Sequence, residues 1–206
     1  MVRCATHSGG SWRNWSRFKA VQIIDAGLDG AKVLKPEVHG DDRGFFLESY
    51  SEGVMADLGI RQRFVQDNHS FSTHNVLRGL HYQVCHPQGK LIRVVTGEIL
   101  DVAVDLRRRS PTFGQWCKVR LSAENKQIFW MPPGLAHGFR VLSETANVLY
   151  KATDFYHPEC ERTVLWNDPD LKISWGISNP FVSEKDAKLP TLAKIPRESL
   201  PEYKDK

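Results

Sequence analysis

From Val33 to Tyr156 the chain is a succession of short runs of alternating apolar residues, each interrupted by Gly, Pro or a cluster of Asn and Asp. RFVQDNHSFS, KLIRVVTGEILDVAVDLR, FGQWCKVRLS, KQIFWMPPG, AHGFRVLS and ANVLYKATDFY follow one another at roughly ten-residue intervals, the rhythm of an all-β sandwich or barrel. LDVAVDLR shows the period most clearly: Asp101, Ala103 and Asp105 alternate with Leu100, Val102, Val104 and Leu106, because successive strand side chains point to opposite faces. KVLKPEVHGDDRGFFLESY places a Gly-Asp-Asp-Arg-Gly turn between two further runs. MADLGI reads as a short helix closed by Gly59 at its C′ position. Ser183 to Lys194 predicts a second short helix before a polar tail.

A chain of 206 residues suits one domain with a substantial core and short appendages. The expected divisions are a basic extension over 1–20, the β domain over 21–182, and a C-terminal helix and tail over 183–206. Apolar residues at 41% and charged ones at 25% argue for a soluble globular protein. No run approaches the ~18 apolar residues of a membrane span. The formal charge of +4 permits an acidic small substrate, and with no basic block longer than Arg107–Arg109 nothing points to nucleic acid. Cysteines at 4, 85, 117 and 160 lack CxxC spacing, which argues against a metal knuckle or redox motif and predicts free thiols in a reducing cytoplasm. The first twenty residues contain no acidic residue and no apolar segment of a secretory signal. Trp12, Trp15 and Phe18 fall there at helix-like spacing, suited to packing on the domain or a partner chain.

Chemistry concentrates in VLRGLHYQVCHPQGKLIRVV, Val76 to Val95, where His81 sits among Arg78, Lys90 and Arg93. Strict alternation would put Leu77, Gly79, His81 and Gln83 on one strand face and Arg78, Leu80 and Tyr82 on the other. Arg78 and His81 can converge only if the chain turns or bulges at Gly79. A lone strand histidine is more often a satisfied core or surface residue than a catalyst. Surrounding cations favour a base placed beside an anionic substrate or a developing enolate. Pro132-Pro133-Gly134-Leu135-Ala136-His137 resembles the P-x-G-x-x-H second metal motif of cupins, a jelly-roll family. The first cupin motif requires H-x-H followed by a carboxylate. Here the matching positions read His81-Tyr82-Gln83, followed by Gln88 and Lys90. An ammonium is a poor neighbour for a divalent cation, so the pattern reads as a cupin-like barrel whose metal site has become an acid/base and anion-binding site. His86, between Cys85 and Pro87, reads as a surface-loop residue.

DDRGFFLESY, FVQDNHS, NVLRGLHYQ, QGKLIRV, GEILDVAVDLR, SPTFGQW, LSAENKQIFWMPPGLAHGF, YKATDFYHPECE and WNDPDLKISW occur in order between Val33 and Pro190. Together they resemble the dTDP-4-dehydrorhamnose 3,5-epimerase family. The resemblance implies a jelly roll with short peripheral helices, no metal and no cofactor, which dimerises by exchanging strands. It also implies a dTDP-4-keto-6-deoxyhexose substrate, inverted at C3 and C5 through an enolate for dTDP-L-rhamnose synthesis. His81 would be the base, Asp186 its partner, Lys90 the oxyanion stabiliser and Tyr150 the proton donor on the opposite face. Without the resemblance, Asp186 reads as a helix cap and Tyr150 as core filling. Arg43 and Arg78 would pair with the diphosphate, and Lys185 would add a third cation. Glu48, Gln66, Asp67 and Asn68 would bond the nucleotide or come from the partner subunit. His137 would contact substrate, Tyr156 would stack on thymine, and Glu161 would support that end of the ligand. The sequence departs from the family in the VCHP loop after Gln83, in Ala187-Lys188-Leu189 and in the basic extension. Three other readings stay open: a single-centre epimerase of a natural-product pathway, a metal-dependent cupin enzyme, and a non-catalytic sugar-nucleotide binding module.

Overall fold

A computed structural model describes residues 21–204. Its strands are β1 Gln22–Asp25, β2 Lys32–Lys35, β3 His39–Asp41, β4 Gly44–Phe46, β5 Gln66–Thr73, β6 Leu77–Gln83, β7 Lys90–Thr96, β8 Glu98–Asp105, β9 Trp116–Ser122, β10 Ile128–Met131, β11 Leu135–Val141, β12 Thr145–Ala152 and β13 Glu161–Thr163. Short helices α1 Glu52–Asp57 and α2 Glu184–Ala187 lie at the periphery. A six-stranded sheet runs β1-β2-β10-β7-β12-β5, a five-stranded sheet runs β13-β6-β11-β8-β9, and β3-β4 forms a separate hairpin. Neighbouring strands pair antiparallel, and the two sheets face each other as a cupin-like jelly roll. No helix among the described residues is long and apolar enough to cross a membrane.

The central strands of each sheet are covered on both faces, which explains why several runs are more continuously apolar than a half-buried strand requires. On β7, Ile92 and Val94 join the core between the sheets, while Leu91 points outward to Met55 of α1 and Ile60 just beyond it. On β10, Phe129 and Met131 point inward and Ile128 and Trp130 outward. The five-stranded sheet repeats the pattern: Ile99 and Ala103 of β8 face the central core, whereas Val102 and Val104 pack under Leu171, Trp175 and Leu200. Each such burial contributes roughly 1.5–3 kcal/mol. That is enough to hold down a C-terminal segment with little regular structure of its own.

The two expected helices form with shifted limits. α1 begins before Met55 and stops as expected at Gly59, whose φ of +80° suits a residue without Cβ. Its N–H reaches Ala56 O, and the Ile60 N–H reaches Met55 O. Of the Ser183–Lys194 segment only Glu184–Ala187 is α-helical, and Leu192–Lys194 is a 3-10 turn. The turn at Asp42-Arg43 joins β3 to β4 as the sequence predicted.

The bulge demanded of Gly79 is present. Leu77, Leu80 and Tyr82 share one apolar cluster, so the alternation slips between the first two, and β11 shifts register opposite it between His137 and Phe139. A Cβ on Gly79, whose φ is +113°, would lie 2.5 Å from Gly138 Cα, and one on Gly138 would lie 2.7 Å from Arg78 O. Neither position has room for a side chain. The crossing turns Arg78 and His81 to the same side of the sheet.

The expectation of free thiols is corrected at two positions. Cys85 and Cys160 form a disulfide with Cα atoms 5.3 Å apart and 75 residues apart in sequence. The cause is topological: β13 pairs with β6 so that Glu161 faces Gln83, which brings the residues just outside this ladder together. Local spacing such as CxxC has no view of that pairing. Cys117 is free, and burial pushes its thiol up to about 12. Cys4 and the aromatic residues Trp12, Trp15 and Phe18 lie outside the described residues.

Candidate active site

A cleft of about 690 Å³ opens between the sheets, its walls including Arg78, His81, Lys90, His137, Tyr150 and Asp186. His81 projects from β6 of the five-stranded sheet; Lys90 of β7 and Tyr150 of β12 belong to the six-stranded one. A small adjoining recess shares His81, Lys90 and Tyr150 and adds Gln88, Tyr156 and Glu161.

His81 Nε2 lies 3.1 Å from Asp186 Oδ1. The carboxylate comes from α2, whose N-cap is Ser183: its Oγ accepts the Asp186 N–H at 3.0 Å. The helix-cap role that local sequence suggests for Asp186 therefore belongs to the residue three positions earlier. The Asp186 side chain is only 7% exposed. Burial alone would raise its carboxyl, but the His81 hydrogen bond and charge, the Gly79 backbone and Ser183 outweigh that and hold it below the usual carboxylate range. A permanent carboxylate accepting from Nε2–H leaves the His81 lone pair on Nδ1.

His137 stands opposite His81 across the β6–β11 pair, its Nε2 3.1 Å from Asp101 Oδ2, with both residues buried. Burial pushes this imidazole down, Asp101 partly opposes the shift, and Lys90 and His81 push it further down. The ring is therefore neutral at neutral pH. Lys90 is also depressed, to about 8, by desolvation against the pull of Asp101 and Glu161. Its Nζ lies 5.9 Å from the centre of the Tyr150 ring. Burial raises the Tyr150 phenol, with Arg78 opposing, so the hydroxyl keeps its proton at neutral pH.

Arg78 is fastened at the cleft rim by Ser72 Oγ at 3.0 Å and Phe71 O at 3.3 Å. Gln66 Oε1 accepts the Tyr156 N–H at 3.0 Å and Gln66 Nε2 donates to Asn68 Oδ1 at 2.9 Å, which ties both amides to the Tyr156 segment without making either a lining residue of the recess. Glu161 accepts from Lys185 Nζ at 2.7 Å, so these two residues meet rather than serving opposite ends of a ligand. Three expected contacts lie elsewhere in this chain. Arg43 is 90% exposed on the β3–β4 hairpin and bound to Asp41. Asp67 is paired with Lys151 away from the cleft, and Glu48 does not line it. Arg93, one of the cations flanking His81 in sequence, is directed to the other face of β7 with Leu91.

Two contributors escaped the sequence. Asp101 lies on the polar-looking phase of LDVAVDLR, yet that phase continues Ile99 and Ala103 into the inter-sheet core, and an aspartate there calls for a buried partner. Ser70 lines the cleft with its hydroxyl buried and without a protein partner among the described residues. Nothing in the local sequence marks it.

A cupin-like jelly roll that sets a histidine of one sheet, paired with an aspartate of α2, against a lysine and a tyrosine of the facing sheet has the groups for proton transfer, and the site defines an epimerase-type isomerase. Comparison with known proteins agrees. Residues 25–194 match the family model described as dTDP-4-dehydrorhamnose 3,5-epimerase. A curated protein of that name from Pseudomonas aeruginosa is 60% identical over 156 residues, spanning 75% of this chain and 86% of the relative. The crystal structure of dTDP-6-deoxy-D-glucose-3,5-epimerase from Legionella pneumophila in complex with dTDP-4-keto-L-rhamnose superposes with a TM-score of 0.87 at 50% identity, covering 89% of this chain and 99% of that one. ChmJ, a 3'-monoepimerase from Streptomyces bikiniensis in complex with dTDP-quinovose, is similar at 35% identity and TM-score 0.80, covering 86% and 91%. The chain belongs to the dTDP-4-dehydrorhamnose 3,5-epimerase family.

Proposed function

We propose that the protein inverts C3 and C5 of dTDP-4-dehydro-6-deoxy-D-glucose to give dTDP-4-dehydro-L-rhamnose, in dTDP-L-rhamnose synthesis. The observation that carries this reading is the placement of base and acid on facing sheets: His81 with Asp186 on one wall of the cleft, Tyr150 on the other. His81 Nδ1 takes the proton from the carbon next to the C4 ketone, and the C–H electron pair moves into an enolate whose oxygen faces the Lys90 ammonium. Asp186 stabilises the imidazolium formed. Tyr150 delivers a proton to the opposite face of the same carbon, which inverts it, and exchange of protons with solvent resets both groups. Arg78 pairs with the diphosphate, His137 contacts the sugar, and Tyr156 stacks on the base with Gln66, Asn68, Glu161 and Lys185 around it.

The residues that the single chain leaves outside its cleft suit a homodimer with exchanged strands. β5 is an edge of its sheet, and Phe45, Phe46 and Phe71 are exposed on the hairpin and on that edge. Arg43, Glu48 and Asp67 then serve the neighbouring subunit's cleft.

The test is deuterium incorporation from heavy water into the 4-keto sugar, followed at C3 and C5 by NMR. Exchange at both carbons with trapped L-lyxo product supports the reading. Exchange at one carbon makes the protein a monoepimerase like ChmJ, and exchange at neither removes the proposal. In the same assay Tyr150→Phe retains hydrogen exchange while epimerisation falls by roughly 10²-fold, the lower range for loss of a general acid. Equal loss of both would remove Tyr150 as donor. The pH profile of kcat/KM supplies a separate test of Lys90. Above about 8 its ammonium loses the proton and with it the oxyanion partner, so activity falls as pH rises through that value. Lys90→Arg, which stays charged, loses that alkaline limb while keeping some turnover.

A further inference from the structure

Behind the Tyr156 edge of the recess, His86, Asp154 and His157 bring three potential ligand atoms within 4.8 Å of one another. His86 Nδ1 lies 3.4 Å from Asp154 Oδ2, and the two imidazoles stack with centroids 4.2 Å apart and planes inclined by 20°. No step of the proposed reaction uses any of the three. We propose that they form a surface site for a first-row divalent transition cation such as Zn²⁺. Two imidazoles and one carboxylate are the donor set that zinc, cobalt, nickel and copper prefer over calcium or magnesium. Three protein ligands leave a position for water.

The ligands come from two segments that are locked together. His86 follows Cys85, and His157 precedes Cys160, to which Cys85 is disulfide-bonded. Gln83, 5% exposed, adds a second clamp. Its Nε2 donates to His86 O at 2.6 Å and to Phe155 O at 3.2 Å, and its Oε1 accepts the His157 N–H at 2.8 Å. The backbones that present the ligands are therefore held at a set separation before any ion arrives. His157 Nδ1 lies 3.3 Å from Glu159 Oε1, a carboxylate partner that leaves the lone pair on Nε2. In stacked rings the in-plane lone pairs cannot both meet one ion at bonds of about 2.0–2.2 Å. One or both imidazoles must swing out of the stack. Their side chains are 55% and 31% exposed, which leaves room for that rotation.

The experiment uses the oxidised full chain, stripped with chelator and free of reductant, titrated with Zn²⁺ by calorimetry and by competition with a chromogenic chelator. The expected result is one strong site per chain. His86→Ala and His157→Ala should each weaken it by at least roughly tenfold, and Glu159→Gln, which removes only the charge behind His157, by about tenfold. Deletion of residues 1–20, which contain Cys4 and His7, should leave it unchanged. Near-UV circular dichroism checks that each variant is folded. Absence of stoichiometric binding, zinc affinity indifferent to both histidine substitutions, or equal displacement by Mg²⁺ or Ca²⁺ would each overturn the proposal.

Discussion

His81→Asn lowers kcat/KM for the 4-keto sugar by roughly 10²–10⁴-fold, the range lost when a positioned general base is removed, and leaves dTDP affinity near that of the parent. Asparagine is the informative replacement because its amide can still donate to Asp186, whose carboxylate is buried and held ionised by its surroundings. Alanine would strand that carboxylate, mixing a stability loss of about 1–3 kcal/mol into the kinetic result. Asparagine removes the basic nitrogen alone. Steady-state rates beside calorimetric dTDP binding check the expectation: a fall in turnover without a fall in affinity assigns the loss to chemistry. If turnover survives, the base lies elsewhere in the cleft, and His137 is then the first group to question.

The largest structural effect is expected outside the cleft. Asp105 is fully buried and accepts hydrogen bonds from Arg107 Nε at 2.9 Å and Nη2 at 2.7 Å, from Ser110 Oγ and from Thr112 Oγ1 at 2.6 Å. Arg107→Met keeps much of the side-chain volume but leaves a buried carboxylate without its countercharge, a change that costs about 3–5 kcal/mol. For a chain of this size that corresponds to a fall of about 10 °C in Tm. The pH dependence has a definite sign. Burial would raise the Asp105 carboxyl, but Arg107, Ser110 and Thr112 more than offset it, so the folded-state value is depressed. The parent therefore carries this contribution in full above the ordinary carboxylate range and loses it as pH falls through the depressed value. In the variant, burial without Arg107 favours the protonated acid, and acidification relieves the penalty. The gap in Tm between parent and variant should be widest near neutrality and narrow towards acid, as calorimetry at several pH values would show. A constant gap would mean that lost packing, not charge, causes the destabilisation.

The architecture was legible because period-two alternation and turn residues are local properties, and nearly every predicted run became a strand. The Gly79 bulge was legible for a related reason: Arg78 and His81, on opposite phases, could meet only if the phase slipped. Partnerships across the fold were not. The Cys85–Cys160 bond depends on β13 lying beside β6, and the His137–Asp101 pair on β8 lying beside β11. Neither registers in any window of sequence. Asp186 shows the limit from the other side: its neighbours suggest a cap, and only the docking of α2 against β6 turns it to His81. Arg43 and Glu48 mark a different boundary, since no local pattern shows that the β3–β4 hairpin and the segment after it lie outside this chain's cleft.

The route by which Asp186 reaches His81 also sets an order of events during synthesis. The strands of both sheets lie within residues 22–163, whereas the carboxylate that orients the imidazole arrives on a segment that follows them and is secured beneath residues as late as Leu200. Domains organise from the N-terminal side as the chain emerges. A nascent chain can thus have its sheets complete while its histidine still lacks a fixed tautomer. The contact between His81 and Asp186 closes only once the residues that follow the strands have packed over the outer face of the five-stranded sheet, so it forms after the barrel rather than with it.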